Sequence, residues 1–111
     1  MKKYTATIDK KIKKEYPGAI SYPVFEENDS PIAGCCAMLN FFHSPEYPAE
    51  FGVHQDNEGF YVVAGHGKMT IGEKEYLLEP GTGMFAPKGV PHAIKCAEGE
   101  TLEIFIYHFP A

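Results

Sequence analysis

The chain lacks a surplus of basic residues. Lys and Arg together number 10 against 15 for Asp and Glu, which gives a formal charge of −5 at pH 7. A surface of this sign repels phosphate backbones and argues against nucleic acid as a partner. The lysines gather early, in KKYTATIDKKIKK, a run typical of a solvated amphipathic face.

Long apolar runs are also missing, and cysteine is scarce. No stretch approaches the roughly 20 residues that a membrane-spanning helix needs. The segment MKKYTATIDKK has no apolar stretch after its lysines, unlike a signal peptide. Of the 3 cysteines, Cys35 and Cys36 are adjacent, where a mutual disulfide would be strained. We therefore expect a cytoplasmic protein with free, mostly buried thiols and no membrane partner.

What is present is enough apolar material for one folded domain. The chain has 111 residues, of which 44% are hydrophobic and 14% aromatic. Its 11 glycines and 9 prolines are spread along the sequence and cut it into short pieces. Such spacing predicts an all-β sandwich or small barrel. The strand candidates are GCCAMLNFF, GFYVVAG, KMTIG, KEYLL, GMFAP, HAIKC and TLEIFIYHF.

The N-terminal part has a different residue pattern from the rest of the chain. Residues 8–16 could form one short helix, with Thr7 or Asp9 as its cap and Pro17-Gly18 as its stop. We therefore expect an N-terminal extension over residues 1–30, which could include this helix, and a β-barrel domain over residues 31–111.

The stretch FGVHQDNEGFYVVAG contains His54 and, four residues later, Glu58. On a straight strand these side chains would stand about 13 Å apart, too far to share one metal ion. A helix is improbable because Gly52 and Gly59 flank the pair. A bend through residues 55–57, whose side chains favour turns, would instead bring the histidine and the glutamate together.

A second segment, PGTGMFAPKGVPHAI, contains a histidine after a stiff turn. Pro87, Gly89 and Pro91 would place His92 at the start of a strand, on the same face as Ile94. Taken alone, this histidine is either a metal ligand or a core residue tied to a backbone carbonyl.

Together the two segments resemble the two motifs of the cupin superfamily, specifically small single-domain cupins with one conserved barrel. His54, Glu58 and Gly65 follow the first motif, and Gly81, Pro87, Gly89 and His92 keep the spacing of the second. The resemblance covers most of the chain, from about residue 37 to 110. It implies a jelly-roll barrel, the double-stranded β-helix, with a divalent metal ion inside.

This chain departs from the family pattern at three positions. Gly52 stands where the family has its first histidine, Cys96 where it has an asparagine, and Glu46 where it has a glycine. Carried over residue by residue, the resemblance leaves three metal ligands: His54, Glu58 and His92. Two histidines and one carboxylate are the ligand set of non-haem iron sites, and manganese, nickel or zinc would also accept it.

Four more side chains are candidates for lining the site, namely His108, Cys96, Phe60 and Met84. Alternation places His108 on the same face of its strand as Leu102, Ile104 and Ile106. The opposite face of that strand is apolar as well and needs cover from a partner or from the N-terminal segment. We predict a homodimer, which would cover it.

The resemblance implies the fold more strongly than a reaction. One hypothesis is a metal-dependent enzyme acting on a small polar substrate in the barrel, as an oxygenase (an oxidoreductase), a lyase or decarboxylase, or an isomerase. The alternative is a non-catalytic module that binds or senses a small molecule and has a degenerate metal site. The sequence leaves open whether the protein is an enzyme.

Overall fold

The computed structural model describes residues 2–46 and 52–111, and every regular element in these residues is a β-strand. None of them lies in a helix that is long and apolar enough to cross a membrane. The strands are β1 Lys14–Tyr16, β2 Ala19–Phe25, β3 Cys36–Phe42, β4 Asn57–Ala64, β5 Gly67–Ile71, β6 Lys74–Leu78, β7 Gly83–Ala86, β8 His92–Cys96 and β9 Leu102–Phe109.

The strands form two antiparallel sheets, a six-stranded one in the order β1-β2-β3-β9-β4-β7 and a three-stranded one in the order β6-β5-β8. The apolar faces of both sheets contribute to one core, as in a barrel built from two sheets. Its largest fully buried side chains are Phe60, Met69, Leu102, Ile104 and Val62. The all-β expectation is confirmed.

A two-residue hairpin connects β5 and β6. Ile71 pairs with Lys74, which leaves Gly72 and Glu73 as the turn. Gly72 has a φ of 63°, whereas no residue other than glycine has a positive φ among those described. A positive φ at the first turn residue and a negative φ at the second are the pattern of a type II′ turn, which favours glycine at the first position.

The helix considered for residues 8–16 does not form. Lys14–Tyr16 is strand β1, and residues 10–12 form a turn. Four lysines within residues 10–14 repel one another on a short helix, and pairing with β2 satisfies the backbone instead. Strands β1 and β2 both lie in the predicted extension, and β2 continues the main sheet by pairing with β3.

Strand β9 lies between β3 and β4 and has two different faces. Leu102, Ile104 and Ile106 are buried in the core. The other face carries Phe105, Tyr107 and Phe109, whose rings contact one another and, through Tyr107 and Phe109, the exposed ring of Phe85. The homodimer expected from this pattern stays a prediction, which sedimentation at micromolar concentration would test.

Candidate metal centre

Three side chains from two segments of the chain meet at one end of the barrel. His54 precedes β4, Glu58 is the second residue of β4, and His92 is the first residue of β8. The chain bends at Gln55 and Asp56. This bend shortens the distance between His54 and Glu58, which a straight strand would have kept too long for one ion.

Backbone hydrogen bonds hold the two segments together. The N–H of Gly52 donates to the carbonyl of His92 at 2.8 Å, and the N–H of His92 donates to the carbonyl of Gly52 at 3.0 Å. The N–H of Gly89 donates to the carbonyl of His54 at 2.9 Å. The position of each histidine is therefore fixed by main-chain contacts with the segment that carries the other.

Their side-chain atoms have the spacing of metal ligands. Oε1 of Glu58 lies 2.9 Å from Nε2 of His92 and 3.3 Å from Nε2 of His54. The ligand atoms of all three residues lie within 4.8 Å of one another. Ligands at about 2.1 Å from a common ion stand roughly 3 Å apart. The three residues therefore fit one divalent ion with little movement.

The tautomer of His92 suits a metal ligand. Its Nδ1 lies 3.0 Å from the carbonyl oxygen of Val90, an atom that only accepts hydrogen bonds, so Nδ1 carries a proton and donates it. Nε2 is thereby directed at the site. A hydrogen bond from the second ring nitrogen to a backbone carbonyl is the usual way in which a ligating histidine is oriented.

The raised pKa of His92 also agrees with a position beside a cation site. Burial of the ring by itself lowers its pKa, but the hydrogen bonds to Glu58 and Val90 and the charge of Glu58 outweigh burial, so the pKa of His92 lies above its usual range. Without an ion, a proton on Nε2 bridges this ring to the Glu58 carboxylate. A metal cation would take the place of that proton.

Burial differs among the three residues. Glu58 and His92 are buried, whereas the side chain of His54 is 43% exposed and lies at the mouth of the site. A buried carboxylate is costly unless a positive group compensates it. A divalent cation bound here would supply that charge, and His54 would remain on the solvent side of it.

Gly52 lies beside the site, although it has no side chain to contribute. A Cβ atom added to Gly52 would lie 3.4 Å from Nε2 of His54 and 3.6 Å from Nε2 of His92. The residue that replaces the family's first histidine is therefore adjacent to the two histidines that remain. Among the described residues, three side chains rather than four therefore form the candidate ligand set.

A cavity of about 350 Å³ opens from the three candidate ligands into the barrel. Phe60, one of the predicted lining residues, borders it, and its ring stands edge-on to that of His92 at 5.8 Å between centroids. The cavity also contacts Ser21, Met38 and Asn40 on β2 and β3. It has room for a small organic molecule next to the ligands.

The structure places Cys96 and Met84 away from this cavity. Cys96 lies four residues, about 13 Å of strand, beyond His92 on β8 and packs in the apolar core. Burial raises the pKa of its thiol, which disfavours a reactive thiolate. Met84 is on the edge strand β7, packs against the core and borders a separate groove with Tyr76 and Leu77. Both side chains have the predicted facing direction but the wrong position along the barrel.

His108 lies next to Glu58, one of the three candidate ligands. Its Nδ1 is 3.3 Å from Oδ1 and 3.2 Å from Oδ2 of Asp56, and its Nε2 is 3.5 Å from Oε2 of Glu58. Asp56 was predicted only as a turn residue, although its two-residue spacing from Glu58 was a signal that both could face one side. Of this pair, His108 approaches the Glu58 oxygen that His54 and His92 do not contact.

Comparisons with known proteins give a family and a fold. Residues 45–108 match the family model described as the cupin domain. Comparison with curated protein sequences gives no match. The Fe(II) form of HppE has a similar structure, with a TM-score of 0.74 and 21% sequence identity, over 94% of this chain and 56% of HppE.

Two further solved structures have the same fold. An RmlC-like cupin from Shewanella frigidimarina gives a TM-score of 0.71 at 19% identity, over 96% of this chain and 85% of its own. An oxalate decarboxylase gives 0.72 at 18% identity, over 89% of this chain and 27% of its own. This chain thus spans about half the length of HppE, and at such identities the likeness concerns the fold alone.

Proposed function

The chain belongs to the cupin domain family, and on that premise we propose that it is a metal-dependent enzyme acting on a small polar substrate. His54, Glu58 and His92 would hold one divalent transition-metal ion, with iron, manganese, nickel and zinc as candidates. The observation that carries the proposal is the convergence of their ligand atoms in the wall of a cavity of about 350 Å³.

Among the reaction classes open to cupins, the ligand set favours an oxygenase. Two histidines and one carboxylate leave coordination positions free for a substrate and dioxygen, as in non-haem Fe(II) oxygenases. When bound, the ion would supply Lewis-acid polarisation of a substrate oxygen or a place for dioxygen. HppE, whose structure contains Fe(II), supports iron by likeness of fold only. Lyase, decarboxylase and isomerase chemistry would use the same three ligands.

The protein's own residues would orient the ligand atoms and exclude water from the site. His92, oriented by the Val90 carbonyl, presents Nε2 to the ion, and Glu58 presents Oε1. Phe60 and the other apolar lining residues keep bulk water away from the inner side of the site. We also propose a cytoplasmic location.

Metal analysis is the first test. We expect chains purified without chelator to carry about one transition-metal ion each, and the metal-free protein to show a thermal shift on adding Fe(II), Mn(II), Ni(II) or Zn(II). His92→Ala should abolish both effects. His66→Ala is the matched control, because His66 is exposed and pairs with Glu100 outside the site.

Two results would contradict the proposal. One is the absence of both bound metal and any thermal shift in the wild-type chain. The other is full metal occupancy in His92→Ala, which would remove His92 from the ligand set. A chain that binds metal and small molecules but turns over none of a broad panel of small oxygenated acids would instead support the binding or sensing module.

A further inference from the structure

Asn40 presents an unpaired polar group inside the barrel. Its Oδ1 is the only buried side-chain nitrogen or oxygen in the described part of the chain that lacks a hydrogen-bond partner. Leaving a buried acceptor unpaired is unfavourable, and native structures contain few such atoms. Asn40 lies on β3 and borders the same cavity as His54, Glu58 and His92. Oδ1 itself has almost no accessible surface, so a ligand in that cavity becomes its partner only when the half-buried Asn40 side chain turns its carboxamide toward the cavity.

The strand register gives the separation between Asn40 and Glu58 along the strand direction. Asn40 pairs with Ile104 on β9, and Ile104 pairs with Val62 on β4, whereas Glu58 pairs with His108. The two rows are four residues apart, about 13 Å along the strands. A metal–ligand bond of about 2 Å and a hydrogen bond of about 3 Å take up part of this span. About 8 Å remains for a molecule that contacts both groups.

The residues that line the cavity at the Asn40 end are uncharged. Ser21, the cross-strand neighbour of Asn40, is buried and borders the cavity as well. The described residues lining the cavity include no lysine or arginine, and residues 47–51 contain neither. Lys14, which pairs with Ser21, is exposed and borders an adjoining cavity rather than this one, so a carboxylate or phosphate at this end would lack a buried cationic partner. A neutral hydroxyl suits the Asn40 carboxamide, because it can donate to Oδ1 and accept from Nδ2.

We propose that Asn40 determines substrate specificity, selecting an elongated molecule with a metal-ligating group at one end and a neutral hydroxyl or amide about 8 Å away at the other. The hydroxyl or amide binds the Asn40 carboxamide, and Ser21 keeps that end of the cavity polar. This inference rests on the proposed metal site and adds the chemistry of the opposite end of the substrate.

Three ligand probes of matched length test the proposal on the metal-loaded protein. They are 6-hydroxyhexanoate, heptanoate and hexanedioate, which share one carboxylate and end in a hydroxyl, a methyl and a second carboxylate. Calorimetry gives the Kd of each probe for the wild-type chain, for Asn40→Leu and for Asn28→Leu. Asn28 is an exposed asparagine outside the cavity and controls for the substitution itself.

The informative quantity is the Kd of heptanoate divided by that of 6-hydroxyhexanoate. We expect this ratio to fall about tenfold in Asn40→Leu, the effect of one hydrogen bond, and to stay unchanged in Asn28→Leu. Hexanedioate should bind the wild-type chain most weakly of the three. Asn40→Ala serves as a second variant if the leucine does not pack, and metal binding equal to that of the wild type shows that a variant is folded.

The outcomes separate this inference from the proposed function. If the wild-type chain binds no metal, both are wrong. If metal binds normally but the ratio is the same in the wild type and both Asn40 variants, the role of Asn40 is wrong and the metal site stands. The same conclusion follows if metal-loaded protein binds none of the three probes.

Discussion

The two ends of the barrel differ in what their inward-facing side chains do, although the same strands form both. At one end, the start of β4, the start of β8 and the end of β9 bring Glu58, His92 and His108 together. At the other, Val62, Leu102 and Met69 are fully buried in an apolar core. The antiparallel pairing of β4 with β9 makes this division possible, since each strand is polar at one end and apolar at the other. Stability and metal binding are thus expected to depend on different ends of the same strands.

The largest effect should come from the apolar end. Ile104→Ala removes a fully buried side chain and should destabilise the fold by about 2–5 kcal/mol, whereas Ile104→Val should cost about 1 kcal/mol. Denaturant unfolding of the metal-free chain measures both. Metal affinity of the folded protein should change little, because Ile104 contacts no candidate ligand. A loss of metal affinity as large as the loss of stability would show that the two ends are coupled.

The sequence alone predicted which residues share a face on the last two strands. Alternation along β9 placed Ile104 and His108 on one face, and the two motif segments predicted the convergence of His54, Glu58 and His92. The position of His92 beside the other two was implied by the resemblance to the two family motifs. The shared face of β9 needs only local periodicity, and the approach of His54 to Glu58 needs only a bend in a short stretch. The strands within residues 34–109 were identified for the same reason.

The sequence did not predict positions that depend on pairing between distant strands. Asn40 lies in the cavity because β3 pairs with β9 in one particular register, which no local pattern reveals. Cys96 and Met84 face the core, as predicted, but lie farther along the barrel than the candidate metal ligands. Strand β2 was missed because Pro23 argues against a regular strand, and in the structure the register shifts between Pro23 and Phe25.

The next effect compares two histidine–carboxylate pairs, one at each end. His108 and Asp56 lie behind Glu58, whereas His66 and Glu100 form an exposed pair at the other end of the molecule. Asp56→Asn or His108→Gln should weaken metal binding about 10–100-fold, because the group that orients Glu58 is lost. Glu100→Gln should have no effect on metal affinity. Titration of the metal-free variants with Mn(II) measures this, and equal affinities in all three would rule out a supporting role for His108.

A smaller effect should follow from restoring a side chain at Gly52. The φ of Gly52 is not in the left-handed region, and its missing Cβ would be directed at the two histidines. Gly52→His should therefore add a fourth ligand and tighten metal binding roughly tenfold, while it removes a position open to substrate. Gly52→Ala supplies the Cβ without a ligand atom and should give no gain. An unchanged affinity in Gly52→His would mean that the three ligands already saturate the protein's side of the ion.

The smallest expected effect is the pH dependence of folding stability that arises from His92 at the polar end. The pKa of His92 is raised in the folded metal-free chain by its hydrogen bonds to Glu58 and Val90, which outweigh burial. Between the ordinary pKa and the raised one, the folded chain holds a proton that the unfolded chain has lost. The contribution of His92 to stability is therefore full below the ordinary pKa of about 6.5 and is lost as the pH rises through the raised value.

Metal binding should show the opposite trend, because an ion must displace the same proton. Thermal unfolding of the metal-free and Zn(II)-loaded chain across this interval should show the stabilisation by metal growing with pH while the metal-free chain loses stability. His92→Gln should flatten the dependence of the metal-free chain, and Ile104→Val should lower both curves without changing their slopes. If Ile104→Val changed the slope as His92→Gln does, proton binding at one end of the barrel and packing at the other could not be treated as separate.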